Sequence, residues 1–207
     1  MLALMGAFGI DVDEVARRAM RPAAPAYEPV IDRFGVDILT DEGLIDAQRL
    51  AAAIEAQPTA MAFLDEVLGI TVREATDLWI GAARNPVIVL DAARLFEYRL
   101  HETCDEVWLV TAPDALRIER LVSLYHLSES EAHTRLAREA TRPAPPGGVV
   151  IINNSGSDEN TYYQVRERLA RLLGLPREFP EPEPPQPRRK RSDRATGRLA
   201  LPVKPTP

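Results

Sequence analysis

Three unbroken apolar runs, each closed by polar residues or a turn, set the fold class of this 207-residue chain: PVIVLD (86–91), EVWLVTA (106–112) and GGVVIINN (147–154). A strand with one wet face alternates apolar and polar side chains. A run apolar at every position expects cover on both faces, as parallel strands have beneath crossover helices. Helical stretches lie between the runs. Pro113 opens PDALRIERLVSLY as a first-turn proline, Ser128 and Glu131 make a capping box for SESEAHTRLAREATR, and ENTYYQVRERLARLLG ends at Gly174. This order predicts an α/β fold with a parallel sheet.

Upstream, FGIDVDEVARRA (8–19) reads as a strand end running into a helix from Asp13 to Met20. AYEPVIDRFG is helical and stops at Gly35. LIDAQRLAAAIEAQ is a helix with Leu44, Leu50 and Ile54 on its buried face, and TAMAFLDEVLGITVREATDLWIGAARN is one or two helices with Gly69 as the potential break. Ligands of parallel sheets gather at the carboxyl ends of strands. Asp11, Asp13, Asp91, Asn153 and Asn154 fall at those ends.

Charge divides the chain. Residues 1–176 carry 17 arginines against 27 carboxylates, whereas 177–207 carry 8 basic and 4 acidic residues. An acidic body binds nucleic acid poorly, and no run of 18 apolar residues marks a membrane span. The opening MLALMGAFGI lacks the basic flank and cleavage site of a signal peptide. Cys104 is the sole cysteine; it rules out an internal disulfide framework and fits a reducing cytoplasm. Proline density makes 175–207 a disordered tail, whose RRKR run (188–191) reads as a solvated basic stretch. The two lysines, Lys190 and Lys204, both lie in that tail.

Several residues bear two readings. Asp91, closing an apolar strand, suits either a helix cap or a ligand of Mg²⁺ or its water. Asp13 suits the N-cap of the helix that follows or a general base for a hydroxyl proton, with Asp11 on the same side of an extended segment. Arg135, Arg138 and Arg142 share a helical face that can close over phosphates, or serve intrahelical pairs such as Glu131–Arg135.

The order of these motifs resembles the dephospho-CoA kinase family from about Leu4 to Leu173. GAFGIDVDEVAR, PAAPAYEPVIDRFGVDILTDEGLIDAQRL, VIVLDAARLFEYRLHETCDEVWLVTAP, RIERLVSLYHLSESEAHTRLARE and VVIINNSGS are similar, in sequence order, to that family's acceptor-side segment, substrate helices, second-strand block, lid helices and adenine-side loop. The resemblance implies a P-loop nucleotide-kinase-like fold spanning 1–174, with a helical substrate-side insertion at about 22–84 and a lid at about 114–143. It implies the MgATP-dependent phosphorylation of the 3′-hydroxyl of dephospho-CoA, the last step of coenzyme A synthesis. It further implies Asp13 as the base, Asp11, Phe96 and Glu97 on the substrate side, and Arg142, Asn154 and Gly156 at the nucleotide.

The departures are as informative. No G-x-x-x-x-G-K-[ST] occurs, so the fold is expected to lack its first central strand and phosphate loop. The family's His-Pro pair is Gly69-Ile70, Ala93 and Arg94 replace a Pro-Leu pair, Leu124 replaces a lid arginine, and Glu139 replaces a lid glutamine where triphosphate would approach. The expectation is a polypeptide that does not bind MgATP productively and has no kinase activity as written. Two explanations stand: a phosphate loop encoded upstream of Met1, or a pseudokinase that binds ligands. A pure interaction module on this fold is the third class.

Overall fold

Among the described residues, every strand runs parallel to one hydrogen-bonded neighbour, in the pairs β1–β2 (Phe8–Asp11 with Ile88–Asp91) and β3–β4 (Trp108–Thr111 with Val150–Asn153). The computed structural model describes residues 1–57, 59–140 and 147–174. These fall into two compact units, one spanning Leu2–Cys104 and one beginning at Asp105.

In the first unit, β1 (Phe8–Asp11) pairs with β2 (Ile88–Asp91), with Phe8 opposite Ile88 and Asp11 opposite Asp91. Four helices fill the crossover: α1 (Val12–Ala19), α2 (Tyr27–Phe34), α3 (Ala47–Glu55) and α4 (Ala60–Ala82). Ile10, Val12, Val15, Val30, Ile38, Leu68, Val72 and Leu100 are buried together and make the core. α2 ends where expected: Gly35 takes φ +83°, a conformation that costs a residue with a Cβ.

Four expectations are corrected here. α1 begins one residue early, at Val12, and its N-cap is Asp11, not Asp13: Asp11 Oδ1 accepts the Glu14 N–H at 2.9 Å. Asp13 therefore sits in the first helical turn, and the two carboxylates do not share a face of one extended segment. Leu44 is exposed and precedes α3, whose cap is Asp46, accepting from the N–H groups of Gln48 and Arg49. Gly69 does not break α4; the place a Cβ would occupy lies 3.6 Å from the Tyr98 ring. Finally, β2 is not buried on both faces. Ile88, Val89 and Leu90 are half-buried, as befits a strand with one neighbour among the described residues.

The second unit pairs β3 (Trp108–Thr111) with β4 (Val150–Asn153) and adds α5 (Asp114–Tyr125), α6 (Glu129–Ala140) and α7 (Asp158–Leu172). Pro113 stands one residue before α5, at the cap rather than inside the first turn. The α6 capping box forms as the spacing predicts: Glu131 N–H donates to Ser128 Oγ at 3.3 Å, and Ser128 N–H donates to Glu131 Oε2 at 2.8 Å. Glu131 is thus committed to the cap, and Arg135 Nε lies 4.0 Å from Glu139 Oε1. Arg117 of α5 is ion-paired with Glu139 of α6 and ties the two helices together. Arg168 of α7 pairs with Glu106, which also accepts from Trp108 Nε1 at 2.5 Å. Among the described residues, no helix is long and apolar enough to cross a membrane. Arg142 and the tail at 175–207 lie outside the described residues.

Candidate active site on the acceptor side

The carboxyl ends of β1 and β2 place Asp11, Asp13 and Asp91 at one end of this strand pair. β1 delivers Asp11 directly into α1 with no intervening loop, so Asp13 follows within the first turn. β2 ends at Asp91 in register with Asp11, and the chain then turns through 92–99 before the short 3-10 helix Leu100–Thr103.

This turn reaches back to Asp13. The backbone N–H of Ala93 donates to Asp13 Oδ1 at 3.2 Å across 80 residues of sequence. Asp13 is half-exposed. Carboxylates are at home in the first turn of a helix, where the unpaired N–H groups carry partial positive charge. They also decide what can approach. Asp11 and Asp13 place two carboxylates at this end of α1, which disfavours a further negative charge beside them. Glu14 is itself held low by hydrogen bonds from Arg18 and Arg17.

Behind the turn, Arg94 makes two hydrogen bonds to the Asp65 carboxylate of α4 and lies 3.6 Å from Glu97. Burial alone would lower the Arg94 guanidinium, but the bonds to Asp65 raise it. Tyr98 is buried against Gly69, and burial pushes its phenol up to about 12, so it stays neutral at physiological pH. The Phe96 ring packs against His101, centroids 5.0 Å apart. Thus Asp11, Asp13, Asp91, Phe96 and Glu97 all belong to one unit. Among the described residues no three His, Cys, Asp or Glu side chains converge as a metal-binding group.

The second unit carries Asn154 and Gly156. Asn154 follows β4; its N–H donates to the Thr111 carbonyl at 2.7 Å and its Oδ1 accepts from Thr161 at 2.9 Å. Gly156 lies in the turn before α7, where a Cβ would come within 3.0 Å of the Asn160 side chain. Gln164 pairs with both the N–H and the carbonyl of Asn153, completing the strand end like one residue of an added strand.

The sequence profile of dephospho-CoA kinases matches residues 1–159. The chain belongs to the dephospho-CoA kinase family. The dephospho-CoA kinase of Shouchella clausii is 33% identical over 167 residues, which cover 78% of this chain and 84% of that one. That of Moorella thermoacetica is 36% identical over 157 residues, covering 70% and 74%. Among solved structures, TT1252 from Thermus thermophilus superposes with a TM-score of 0.65 at 25% identity, over 83% of this chain and 89% of the other. The Campylobacter jejuni dephospho-CoA kinase gives a TM-score of 0.51 at 19% identity, over 82% and 87%, and supports the α/β fold alone.

Against this dephospho-CoA kinase background, two contacts were invisible in the sequence. Nothing in the spacing ties Arg94 to Asp65, 29 residues earlier, or the Ala93 N–H to Asp13. Glu139 also reads differently in the fold: its charge is met by Arg117 rather than left open.

Proposed function

We propose that residues 1–207 bind dephospho-CoA on the acceptor side of the family reaction, with Asp13 as the carboxylate that receives the 3′-hydroxyl proton. The contact that carries this reading is the Ala93 N–H bond to Asp13 Oδ1. It orients one carboxylate oxygen and leaves the second for a hydroxyl donor. General-base action needs that oxygen within hydrogen-bond reach of the proton, about 2.6–3.2 Å. Asp11 spends one oxygen on its helix cap and serves as a neighbouring charge. Phe96 and Glu97 line the substrate side, while Arg142, Asn154 and Gly156 are assigned to the nucleotide.

The same polypeptide is proposed to lack phosphoryl transfer of its own. Transfer depends on positioning and on neutralising triphosphate charge. Residues 1–207 contain no G-x-x-x-x-G-K-[ST] and no lysine before Lys190, and Glu139 already occupies Arg117. A ligand-binding pseudokinase is the second reading, and a specific observation favours it. Gly69 and Arg94, where the sequence departs from the family pattern, are packed against Tyr98 and bonded to Asp65 respectively. We place the protein in the cytoplasm on its single cysteine.

The test is to incubate purified 1–207 with dephospho-CoA and MgATP and assay CoA, alongside calorimetric titration with dephospho-CoA. The expected result is binding without turnover. CoA formed at about 1 s⁻¹ or faster contradicts the claim of inactivity, and absence of binding contradicts the acceptor reading.

A further inference from the structure

We infer that Arg94 is a positioning residue: paired with Asp65, it clamps the turn after β2 onto α4 and so holds the Ala93 N–H on Asp13. The inference rests on the proposed acceptor role of Asp13 for its functional meaning, but its structural content stands separately.

The turn is attached to α4 at three points within one unit. Arg94 bonds both oxygens of Asp65. Arg73 Nη1 donates to the Tyr98 carbonyl at 3.3 Å. The Tyr98 ring fills the space that Gly69 leaves open, within ordinary contact distance. Asp65, Gly69 and Arg73 stand four residues apart, so they lie on one stripe of α4. That stripe is a docking rail for residues 94–98. The Arg94–Asp65 pair is the attachment next to Ala93 in sequence, and it is well shielded, both side chains being about one-fifth exposed. A fork-shaped guanidinium on a carboxylate fixes direction as well as distance.

The consequence reaches the site through geometry. Ala93 precedes the clamped residue, so the clamp on residue 94 constrains the direction of its N–H. The free-energy well of a 3.2 Å backbone bond on a half-exposed carboxylate is shallow. Released from Asp65, the turn keeps its Tyr98 attachments but loosens next to Ala93, and the donor that orients Asp13 is held less firmly. Arg94 does not touch the substrate in this account; it acts through Ala93.

Two readouts test this. In the ¹⁵N-labelled protein, the Ala93 amide proton is expected to shift with pH as the carboxylate it touches ionises, and Asp13→Asn removes that response. Arg94→Leu and Asp65→Asn are expected to reduce it at least twofold while the amides of the β1–β2 ladder keep their wild-type shifts. An undiminished Ala93 response in Arg94→Leu overturns the inference, whether or not any ligand binds. Should Arg94→Leu lose the ladder shifts, Arg94→Lys keeps the charge and loses the fork; it must still weaken the Ala93 response, and a wild-type response there also overturns the inference. The second readout is the ratio of affinities for dephospho-CoA over CoA, whose 3′-phosphate Asp13 repels. Arg94→Leu is expected to lower this ratio about tenfold, the scale of one charged hydrogen bond, and to change it no further in an Asp13→Asn background. A purely structural Arg94 lowers stability and leaves the ratio intact, which contradicts positioning. If the wild type binds neither ligand, the acceptor reading falls, and the Ala93 resonance still decides the clamp.

Discussion

Replacing Asp11 and Asp13 by alanine, one at a time, separates a carboxylate that holds the fold from one that serves the site. Asp11→Ala removes the cap acceptor of the Glu14 N–H, a loss of about 1 kcal/mol within a general range of 0.5–2. It also relieves the like charge of Asp91, opposite in register, which offsets a few tenths of a kcal/mol at most. The net cost of roughly 0.5–1 kcal/mol corresponds to a drop in Tm of about 1–4 °C for a chain of this size. Asp13→Ala differs at every term. Its partner N–H is exposed and turns to water. The lost first-turn charge costs about 0.3–1 kcal/mol, and alanine's better helix propensity returns roughly 0.5 kcal/mol. Stability is therefore expected to stay within about 0.5 kcal/mol of wild type, while dephospho-CoA affinity falls about tenfold. Urea unfolding and calorimetry on the two variants measure both quantities. The reasoning is refuted if Asp13→Ala proves the more destabilising change, or if Asp11→Ala alone abolishes binding at full stability.

Other outcomes follow from the same contacts. Gly69→Ala places a methyl 3.6 Å from Tyr98, an ordinary contact, so urea unfolding should show about 1 kcal/mol of stabilisation from helix propensity; Gly69→Leu overpacks and should cost about 1–3 kcal/mol. Ser128→Ala breaks the α6 capping box and should destabilise by about 1 kcal/mol, seen as faster amide exchange in α6. Glu106 is held below its ordinary 4.5 by hydrogen bonds from Arg168 and then Trp108. The stability it contributes is present above that ordinary value and is lost as pH falls through the lowered one. Acid titration below about pH 4.5 should therefore show a shallower stability loss in Arg168→Leu than in wild type, and equal slopes would contradict the Glu106–Arg168 account.

Much of the architecture was legible because it is local. Continuous apolar runs marked β2, β3 and β4, Ser128 and Glu131 marked the start of α6, and Gly35 marked the end of α2. Each signal needs only a few neighbouring residues. The strand-to-helix junction was misread for the same reason. Asp11 and Asp13 both precede helical residues, and only the backbone shows that Val12 is already helical. Burial was the other failure, since it depends on neighbours that no short window contains. β2 carries a fully apolar pattern yet has one hydrogen-bonded neighbour among the described residues, and Leu44 faces solvent because the helix begins after it. The site was half legible. Asp11, Asp13 and Asp91 stood out by position, whereas Arg94 and Asp65 pair across 29 residues and Arg117 meets Glu139 across 22. Such pairs leave no periodic trace, so substitutions that look like decay in the sequence turn out to be matched in space.

The most direct measurement is a titration of ¹⁵N-labelled 1–207 with dephospho-CoA, following backbone resonances. Saturable shifts are expected at Asp11–Glu14 and across 91–97, where the acceptor carboxylate and its supporting turn lie. Shifts absent from both segments at saturating ligand, or confined to the Asn153–Gly156 turn, would contradict the acceptor site.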